Sequence, residues 1–307
     1  MTKASAYGRV SLLGNPSDIY GGKCISFTFD KKAELELSDS NELRIHGNST
    51  TETSLEYNGH HDLVKATLKK LGLQNRTFHI SYDTTIPIGS GLAGSSAIII
   101  ATMRALNEHL SLGLDKYKIA ETALRVETEE LGISGGFQDR YSISFGGVTF
   151  MDFTGKEFMR ETDHYGKIEH LPVSSLPFFL ALGVQPKSSA IVHNPVRERW
   201  LNDENARKEI QDGMNKLAEL AVKGKEVLLR GDWKKLGELM YQNTDIREEL
   251  CPHLKMDKKM IEHARELGAL GAKVAGSGGA VVILSEDDSV FESMSQEYPC
   301  YKPRIIQ

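Results

Sequence analysis

The sequence predicts an α+β fold, because strand-like segments dominate its beginning and helices and strands then mix without regular alternation. Four stretches within residues 7–46, YGRVSLLG, KCISFTF, AELELS and ELRIH, have strand-like composition and are separated by Gly, Asn, Asp and Ser. Helical periodicity at residues 61–71 precedes a strand at 77–82, a glycine-rich stretch and an apolar helix at 95–110. The absence of strict strand-helix-strand order favours α+β over a doubly wound sheet.

The remainder of the chain predicts further helices and strands and one domain boundary. Apolar residues at helical spacing predict an amphipathic helix at residues 204–230. The other expected elements are helices at 115–131, 233–243 and 257–267 and strands at 143–153, 178–184 and 280–284. The polar segment at 154–167 predicts a crossing between two domains, residues 1–160 and 161–307.

Composition excludes several classes of protein. Of the 307 residues, 40% are hydrophobic and 26% charged, which argues against disordered and fibrous classes. The net charge of −5 provides no basic field for nucleic acid or an anionic membrane, so we expect neither as a partner. Three cysteines without CxxC spacing fit a reduced compartment. No apolar run is longer than that of residues 97–101, which is too short to span a bilayer, and we expect a cytoplasmic protein.

A glycine-rich segment between a strand and an apolar helix is the strongest functional signal. Its candidate ligand-binding residues are Pro87, Gly89, Ser90, Gly91, Leu92, Ala93, Gly94, Ser95 and Ser96. Glycines allow the backbone N–H groups to converge, and the start of a helix adds a positive dipole. The segment therefore predicts a cradle for a polyphosphate such as that of ATP.

Three other interpretations compete with a phosphate cradle at this segment. The glycines at 89, 91 and 94 match GxGxxG, but a dinucleotide-binding fold needs a strand that runs directly into the first glycine, and residues 84–87 intervene. A Walker A loop requires a lysine that is missing here. A glycine-rich helix cap without any ligand is the third alternative.

Three ordered motifs resemble those of the GHMP kinase superfamily. The glycine-rich segment resembles the second motif, Pro-x3-Gly-Leu-Gly-Ser-Ser, apart from the inserted Ala93. Residues 8–18, GRVSLLGNPSD, resemble the first motif, which lines the acceptor site. Residues 273–280, KVAGSGGA, resemble the third motif, a glycine loop that braces the phosphate loop and the acceptor.

This resemblance implies a fold and a set of ligands. The expected fold is an N-terminal domain like domain 2 of ribosomal protein S5, followed by a ferredoxin-like C-terminal domain. ATP, Mg²⁺ and a small-molecule acceptor would bind in the cleft between them, as in kinases that phosphorylate a hydroxyl group.

The resemblance also assigns roles to particular residues. Asp139, after the Gly135-Gly136 turn, corresponds to the base or orienting group for the acceptor hydroxyl, although an aspartate there could simply cap a turn. Arg9 occupies the place of a basic residue near the transferred phosphate; the alternative is an arginine in a strand-edge salt bridge. The expected magnesium ligands are Ser96 and Glu129, and the two alternatives for the carboxylate are Glu127 and Glu130.

The acceptor is expected to be a sugar acid. The run GRVSLLGNPSDIYGGKCISF resembles the glucuronokinase branch, as do ELGISGGFQDR, GGVTFMDF and HNPVRERW. That branch phosphorylates the anomeric hydroxyl of a hexuronic acid such as D-glucuronate. The expected substrate-binding residues are Asn15, Ser17, Asp18, Gly136, Arg197, Gly276, Ser277 and Gly278.

An arginine would suit the carboxylate of that acid. Arg197 is the candidate, with Arg199 and Lys187 as alternatives, and the sequence predicts that its helix begins with Asn194 as the N-cap and Pro195 at the first position. Other possible functions are a kinase for a galactose-like sugar or a mevalonate-like acid, a non-catalytic sensor of ATP or sugar, and a dinucleotide enzyme.

Overall fold

The computed structural model describes residues 1–133, 135–156, 164–183 and 190–307. The strands in these ranges are β1 (Thr2–Leu13), β2 (Lys23–Asp39), β3 (Arg44–Gly47), β4 (Thr50–Glu52), β5 (Phe78–Thr84), β6 (Val148–Asp152), β7 (Lys167–Leu171), β8 (Phe178–Leu182), β9 (Gly271–Val274), β10 (Ala280–Leu284) and β11 (Cys300–Tyr301). The α-helices are α1 (Asp62–Lys70), α2 (Gly94–Leu110), α3 (Lys116–Arg125), α4 (Phe137–Phe145), α5 (Ala190–Asn202), α6 (Glu204–Arg230), α7 (Trp233–Leu250), α8 (Lys255–Glu266) and α9 (Asp288–Glu297). No helix in the described ranges is long and apolar enough to cross a membrane.

One compact unit comprises residues 1–8, 31–87 and 93–145. In its sheet, β5 pairs antiparallel with the second half of β2 and parallel with β3, and β4 pairs with β3. Along β2, Ala33, Leu35 and Leu37 are buried and the glutamates between them are not, which matches the two-residue period of a strand. Helix α2 contacts α1, α3 and α4 and contributes more buried apolar residues than any one of them.

The other compact unit comprises residues 9–30, 88–92 and 146–307. Here the first half of β2 pairs antiparallel with β6, and β6 pairs with β7. A separate antiparallel sheet has the strand order β11-β8-β10-β9, and α8 and α9 pack on it through Met260 and Val290. The unit therefore includes residues 9–30 and 88–92 in addition to the second half of the chain. The two domains predicted from the sequence, residues 1–160 and 161–307, are each a single continuous stretch.

The predicted elements at 204–230 and 280–284 coincide with α6 and β10, but others differ. The stretches KCISFTF and AELELS form one continuous strand, β2. The polar residues between them do not break it, because they contain no glycine or proline and their backbone groups keep partners: Asp30 N–H donates to the Arg304 carbonyl and Thr85 N–H to that of Lys32. Helix α7 also extends seven residues beyond the predicted end at 243 and finishes at Leu250.

Two further predictions of local structure are wrong. The beginning of the predicted strand at 143–153 belongs to α4, whose buried Phe137, Tyr141 and Ser144 follow helical spacing, and the strand is confined to β6. Helix α5 begins at Ala190, so Asn194 is not its N-cap and Pro195 lies inside the helix. Proline keeps a helical φ, so it can occupy a helix at the loss of one backbone hydrogen bond. Val184, predicted to end a strand, lies outside the described residues.

Candidate active site

Two glycine loops interlock backbone to backbone; the first covers residues 87–96 and the second covers residues 275–279. A Cβ on Gly91 would lie 2.5 Å from the carbonyl oxygen of Gly278, and a Cβ on Gly279 would lie 2.6 Å from that of Gly89. Neither position can therefore hold a side chain unless the opposite backbone moves. Gly89 and Gly91 also have φ of 68°, a conformation that glycine adopts at little cost.

Arg9 ties the two loops together. Its Nη1 donates hydrogen bonds of 2.7 Å to the carbonyl oxygen of Gly91 and 2.9 Å to that of Ala275, and its backbone N–H donates to the Leu92 carbonyl at 3.2 Å. The residue is 4% exposed. A Cβ on Gly276 would lie 2.7 Å from Nη1, so the guanidinium also needs a glycine at this position. These contacts give Arg9 a positioning role within the loops.

Asp257 fixes the second glycine loop from α8. Its carboxylate, which is buried, accepts the Gly279 N–H at 3.0 and 3.2 Å. A Cβ on Gly278 would lie 2.6 Å from Oδ2 of Asp257. Of the residues predicted to contact substrate in this loop, Gly276 and Gly278 are buried and Ser277 is half-buried.

The first glycine loop leads into α2 without a capping side chain. Ala93, the residue inserted relative to the family motif, is the N-cap and has φ 61° and ψ 37°. This left-handed conformation costs a residue with a side chain about 1–2 kcal/mol. No side chain hydrogen-bonds to the first turn of α2 from this cap. The first turn, which begins with Gly94 and Ser95, thus has the geometry of an anion-binding helix start.

Ser96 lies beside a buried carboxylate. Its hydroxyl donates to Glu127 at 3.3 and 3.5 Å from the two carboxylate oxygens, and both residues are 2% exposed. Glu127 belongs to a π-helical turn, Val126–Glu130, that follows α3. Arg140 of α4, which is also buried, forms an ion pair with the same carboxylate. One hydroxyl, one carboxylate and one guanidinium therefore meet inside the first compact unit.

Glu129, the carboxylate expected beside Ser96, faces elsewhere. Its side chain is 46% exposed, pairs with Lys70 and lies 4.0 Å from Nε of Arg125. Residues two positions apart in a helix point to different sides, so Glu127 and Glu129 cannot both face α2. The carboxylate of Glu130 accepts a hydrogen bond from the Tyr57 hydroxyl at 3.1 Å. The structure thus joins Ser96 to Glu127 and not to Glu129.

Asp139 lies in the first turn of α4, next to this buried group. Its side chain is 25% exposed, and its Oδ2 is 4.0 Å from Nη1 of Arg140. The same Nη1 donates to the Gly136 carbonyl at 2.7 Å, and a Cβ on Gly135 would collide with the guanidinium. The glycine turn therefore makes room for Arg140, which connects Asp139 with Glu127.

The first motif is buried and held by Lys273. This ammonium donates 2.7 Å to Oδ1 of Asn15, 3.1 Å to the Ser11 carbonyl and 2.8 Å to the Val274 carbonyl. Burial, and then the nearby guanidinium of Arg247, lowers the pKa of Lys273 well below its usual value.

Two other residues of this motif were predicted to contact substrate. Ser17 is fully buried and donates to the Lys23 carbonyl at 3.0 Å, and Asp18 is 4% exposed. Both belong to a short 3₁₀-helix, Ser17–Tyr20. All three predicted residues of the first motif, Asn15, Ser17 and Asp18, are therefore buried.

Arg197 is half-buried on α5, close to the end of the first motif. Burial raises the pKa of the Tyr20 hydroxyl, and the charge of Arg197 opposes that rise. The ring of Trp200, one turn further along α5, meets the Tyr20 ring edge to face at 5.8 Å. The alternative Arg199 lies 3.5 Å from Glu209, and Lys187 lies outside the described residues.

The sequence matches known proteins along most of its length. Residues 60–147 match the family model of the GHMP kinase N-terminal domain, and residues 225–300 match that of the GHMP kinase C-terminal domain. Probable glucuronokinase 2 of Arabidopsis thaliana is 35% identical over 98% of this chain and 88% of its own length. The chain belongs to the GHMP kinases.

This GHMP kinase has other curated relatives. Glucuronokinase 1 of Arabidopsis thaliana is 35% identical over 91% of this chain and 83% of its own length. Mevalonate kinase of Pyrococcus furiosus is 27% identical over 90% of this chain and 86% of its own length.

Solved structures share the fold of this GHMP kinase. A D-glycero-D-manno-heptose 1-phosphate kinase from Bacteriodes thetaiotaomicron superposes with a TM-score of 0.77 and 22% identity, covering 100% of this chain and 97% of that one. Phosphomevalonate kinase of Streptococcus pneumoniae, in complex with phosphomevalonate and AMPPNP, gives a TM-score of 0.78 and 17% identity with full coverage of both chains. The predicted α+β GHMP kinase fold and the predicted kinase activity are confirmed.

Several residues that hold the predicted motifs in place were not assigned a role from the sequence. Arg140 follows Asp139 in a segment that resembles the family, and Lys273 begins the third motif. Their positions in these motifs could have suggested a role for both residues. Asp257 and Asn243 carry no such signal, because each acts from a helix remote in sequence from the loop that it contacts.

Proposed function

We propose that this GHMP kinase transfers the γ-phosphate of ATP to the anomeric hydroxyl of D-glucuronate or a closely related sugar acid. The observation that carries the proposal is the 35% identity to two glucuronokinases over 98% and 91% of the chain. Identity to a galactokinase of Thermotoga neapolitana and to the Pyrococcus furiosus mevalonate kinase is lower, at 24% and 27%. A galactose-like sugar or a mevalonate-like acid is therefore the second candidate for the acceptor.

In this proposal the first glycine loop binds the phosphates of ATP. The backbone N–H groups of residues 89–96 and the start of α2 supply donors and a positive dipole. Arg9 is bound to the carbonyls of Gly91 and Ala275, so it acts by holding the loop in shape. Its contact with the transferred phosphate, expected from the family, remains a prediction.

Ser96 and Glu127 fit a magnesium ion. Both offer oxygen, the ligand that Mg²⁺ prefers, and they already lie within 3.3 Å of each other. We therefore propose that Glu127, and not Glu129, is the carboxylate ligand of the ion. When bound, the ion would neutralise charge on the phosphates. Arg140 holds the Glu127 carboxylate in place through their ion pair and would share it with the metal.

Asp139 is the proposed base. The acceptor oxygen would form a bond to the γ-phosphorus, the bond from that phosphorus to the bridging oxygen of ADP would break, and the hydroxyl proton would pass to the Asp139 carboxylate. The partial exposure of Asp139 leaves its carboxylate accessible to a substrate. Arg140 lies next to both Asp139 and Glu127, so one guanidinium couples the positions of the two carboxylates.

The sugar is proposed to contact residues of all three motifs. These are Asn15, Ser17 and Asp18 of the first motif, Gly136 beside the base, Arg197, and Gly276, Ser277 and Gly278 of the second glycine loop. The three cysteines are free, which supports our proposal of a reducing, cytoplasmic compartment.

A panel assay tests the proposed acceptor. ADP release would be measured with ATP, Mg²⁺ and, in turn, glucuronate, galacturonate, galactose, glucose and mevalonate. We expect the highest kcat/KM with glucuronate and a sugar 1-phosphate as the product by ³¹P NMR. A higher kcat/KM with galactose or mevalonate would favour the second candidate. Tight ATP binding without turnover of any acceptor would contradict the proposed transfer reaction and favour a sensor of ATP or sugar.

A further inference from the structure

Two side chains on one face of α7 have buried hydrogen-bond donors that find no acceptor among the described residues. Nδ2 of Asn243 and both Nε and Nη1 of Arg247 have no hydrogen-bond partner in the part of the chain that the structure describes. Asn243 is fully buried and Arg247 is 1% exposed. Residues four apart in a helix lie on the same face, so these donors are neighbours. Buried polar groups almost always have partners, so such a group points to an acceptor that binds there.

This face of α7 adjoins the first motif. Oδ1 of Asn243 accepts a 2.7 Å hydrogen bond from the backbone N–H of Gly14, the residue directly before Asn15. The Arg247 guanidinium is close enough to Lys273 to lower the pKa of that ammonium, after burial itself, and Lys273 holds Asn15. The unpartnered donors therefore lie beside the residues proposed to bind the acceptor.

Arg247 has no ion pair with any residue in the described ranges, although two carboxylates lie nearby. Asp257 accepts the Gly279 N–H, and Glu248 pairs with His253. Burial lowers the pKa of Arg247, and the opposing interactions with Cys251 and these two carboxylates do not outweigh it. A buried charge whose donors are unmatched is strongly unfavourable by itself. An incoming anion would compensate for it.

We propose that Arg247 pairs with the carboxylate of the uronate acceptor and that the Asn243 amide is the second donor to it. This inference rests on the proposed function. The planar guanidinium fits the two carboxylate oxygens, and the acceptor is the one substrate of the reaction that carries a carboxylate. Arg247 is closed off from solvent in the ligand-free protein, so the sugar acid displaces neighbouring side chains as it enters. In this inference Arg197 is a second cation near the site, and Arg247 is the residue that pairs with the carboxylate.

The test compares glucuronate with glucuronamide, its neutral isostere, by calorimetric titration and steady-state kinetics. In the wild type we expect glucuronate to bind at least about 30-fold more tightly than the amide, which is the ratio expected for a charge-assisted pair. Arg247→Met should reduce this ratio to less than about 3-fold, with ATP affinity unchanged. Arg247→Lys keeps the charge but not the planar fork, and should give an intermediate ratio.

Arg104→Met is the matched control. Arg104 is a half-buried arginine whose guanidinium donates to the carbonyls of Ser5, Ile143 and Ser144. We expect this variant to melt at a lower temperature and to keep the wild-type ratio. Arg247→Met should melt no lower than wild type, because it removes an uncompensated charge.

The outcomes separate the inference from the proposed function. If wild type phosphorylates glucuronate but Arg247→Met keeps the same preference over the amide, Arg247 is not the anchor. Equal binding of the two ligands by wild type also overturns the inference. If wild type phosphorylates a neutral hexose and not glucuronate, the proposed acceptor itself is wrong, and the inference fails with it.

Discussion

The ammonium of Lys273 donates a 2.7 Å hydrogen bond to Oδ1 of Asn15, and so joins the third sequence motif to the first inside one compact unit. Its two other N–H groups are within hydrogen-bond distance of the carbonyls of Ser11 and Val274. An ammonium has three donors, so Lys273 is fully satisfied without any carboxylate. The lysine therefore sets the position of the Asn15 side chain, which we propose contacts the acceptor.

Replacing Lys273 should weaken acceptor binding. In Lys273→Met the Oδ1 of Asn15 loses its donor, and we expect the acceptor KM to rise about 10-fold, as for the loss of one charge-assisted hydrogen bond. The KM for ATP should change little. The control is Lys65→Met, because Lys65 is equally buried and binds the Glu56 carbonyl and Asn58. That variant should lose stability and keep its acceptor KM; an equal rise in both variants would argue against a positioning role for Lys273.

Glu127 and Glu129 should differ in their effect on the proposed magnesium requirement. Glu127→Gln removes the charge beside Ser96, and we expect the Mg²⁺ concentration for half-maximal activity to rise at least about 10-fold. Glu129→Gln should change it less than about 2-fold, because that side chain is exposed and pairs with Lys70. A magnesium titration of both variants decides between them. The reverse order would restore Glu129 as the metal ligand.

Asp139→Asn should reduce turnover without weakening nucleotide binding. The amide keeps the shape of the side chain and loses the basic oxygen, so we expect kcat to fall by about 10²–10⁴-fold. The ATP dissociation constant, measured by calorimetry, should stay within about 3-fold of wild type. Asp245→Asn, which changes a 65% exposed carboxylate, serves as the control. Near-normal turnover in Asp139→Asn would remove this residue from its proposed role.

Gly91 and Gly113 provide a matched pair for the interlocked loops. Both have φ of 68°, so alanine is strained to a similar degree at each position. A Cβ at Gly91 would meet the Gly278 backbone, whereas one at Gly113 has nothing within 4 Å. We expect Gly91→Ala to raise the KM for ATP at least about 10-fold by displacing the loop, and Gly113→Ala to cost only about 1 kcal/mol of stability. If the two variants had equal KM values for ATP, ATP binding would not depend on the close contact between the two glycine loops.

Acid should destabilise the protein partly through His253. Burial, and then Arg247, lowers the pKa of this imidazole to about 4, and its pairing with Glu248 does not outweigh them. The unfolded chain, with a histidine pKa near 6.5, binds the proton first as the pH falls. The contribution is therefore complete above about pH 6.5 and is lost as the pH falls to about 4, by up to about 3 kcal/mol.

Urea unfolding of wild type and His253→Gln at pH 7 and pH 4.5 would measure this effect. We expect the wild type to lose more stability than the variant between the two pH values. Parallel losses in the two proteins would assign the acid sensitivity to other groups.

Local patterns were sufficient to predict much of this fold from the sequence. The amphipathic repeat of α6 and the apolar run of β10 are signals carried by the elements themselves. The continuity of β2 was missed because the backbone partners of Asp30 and Lys32 come from residues 304 and 85, far away in sequence. The start of α5 was misplaced because Pro195 suggested a helix beginning and in fact lies inside the helix.

The candidate site was predictable as a set of motifs but not as a set of contacts. Glycine spacing pointed to both loops, yet the choice among Glu127, Glu129 and Glu130 depends on which way a π-helical turn faces. The contacts of Glu127 with Ser96 of α2 and Arg140 of α4 show which of the three carboxylates faces inwards, and they are visible only in the folded chain. The unpartnered donors of Arg247 likewise become visible only when the burial of α7 is known.

The interlocked glycines also limit how this enzyme could be re-engineered. Gly91 and Gly279 each face the main chain of the opposite loop, so no smaller residue on that loop could make room for a new side chain. A library that seeks a different sugar preference would gain nothing from diversity at these positions. Variation is better directed at α5, where the Trp200 ring meets the Tyr20 ring and a second substitution can compensate for the first.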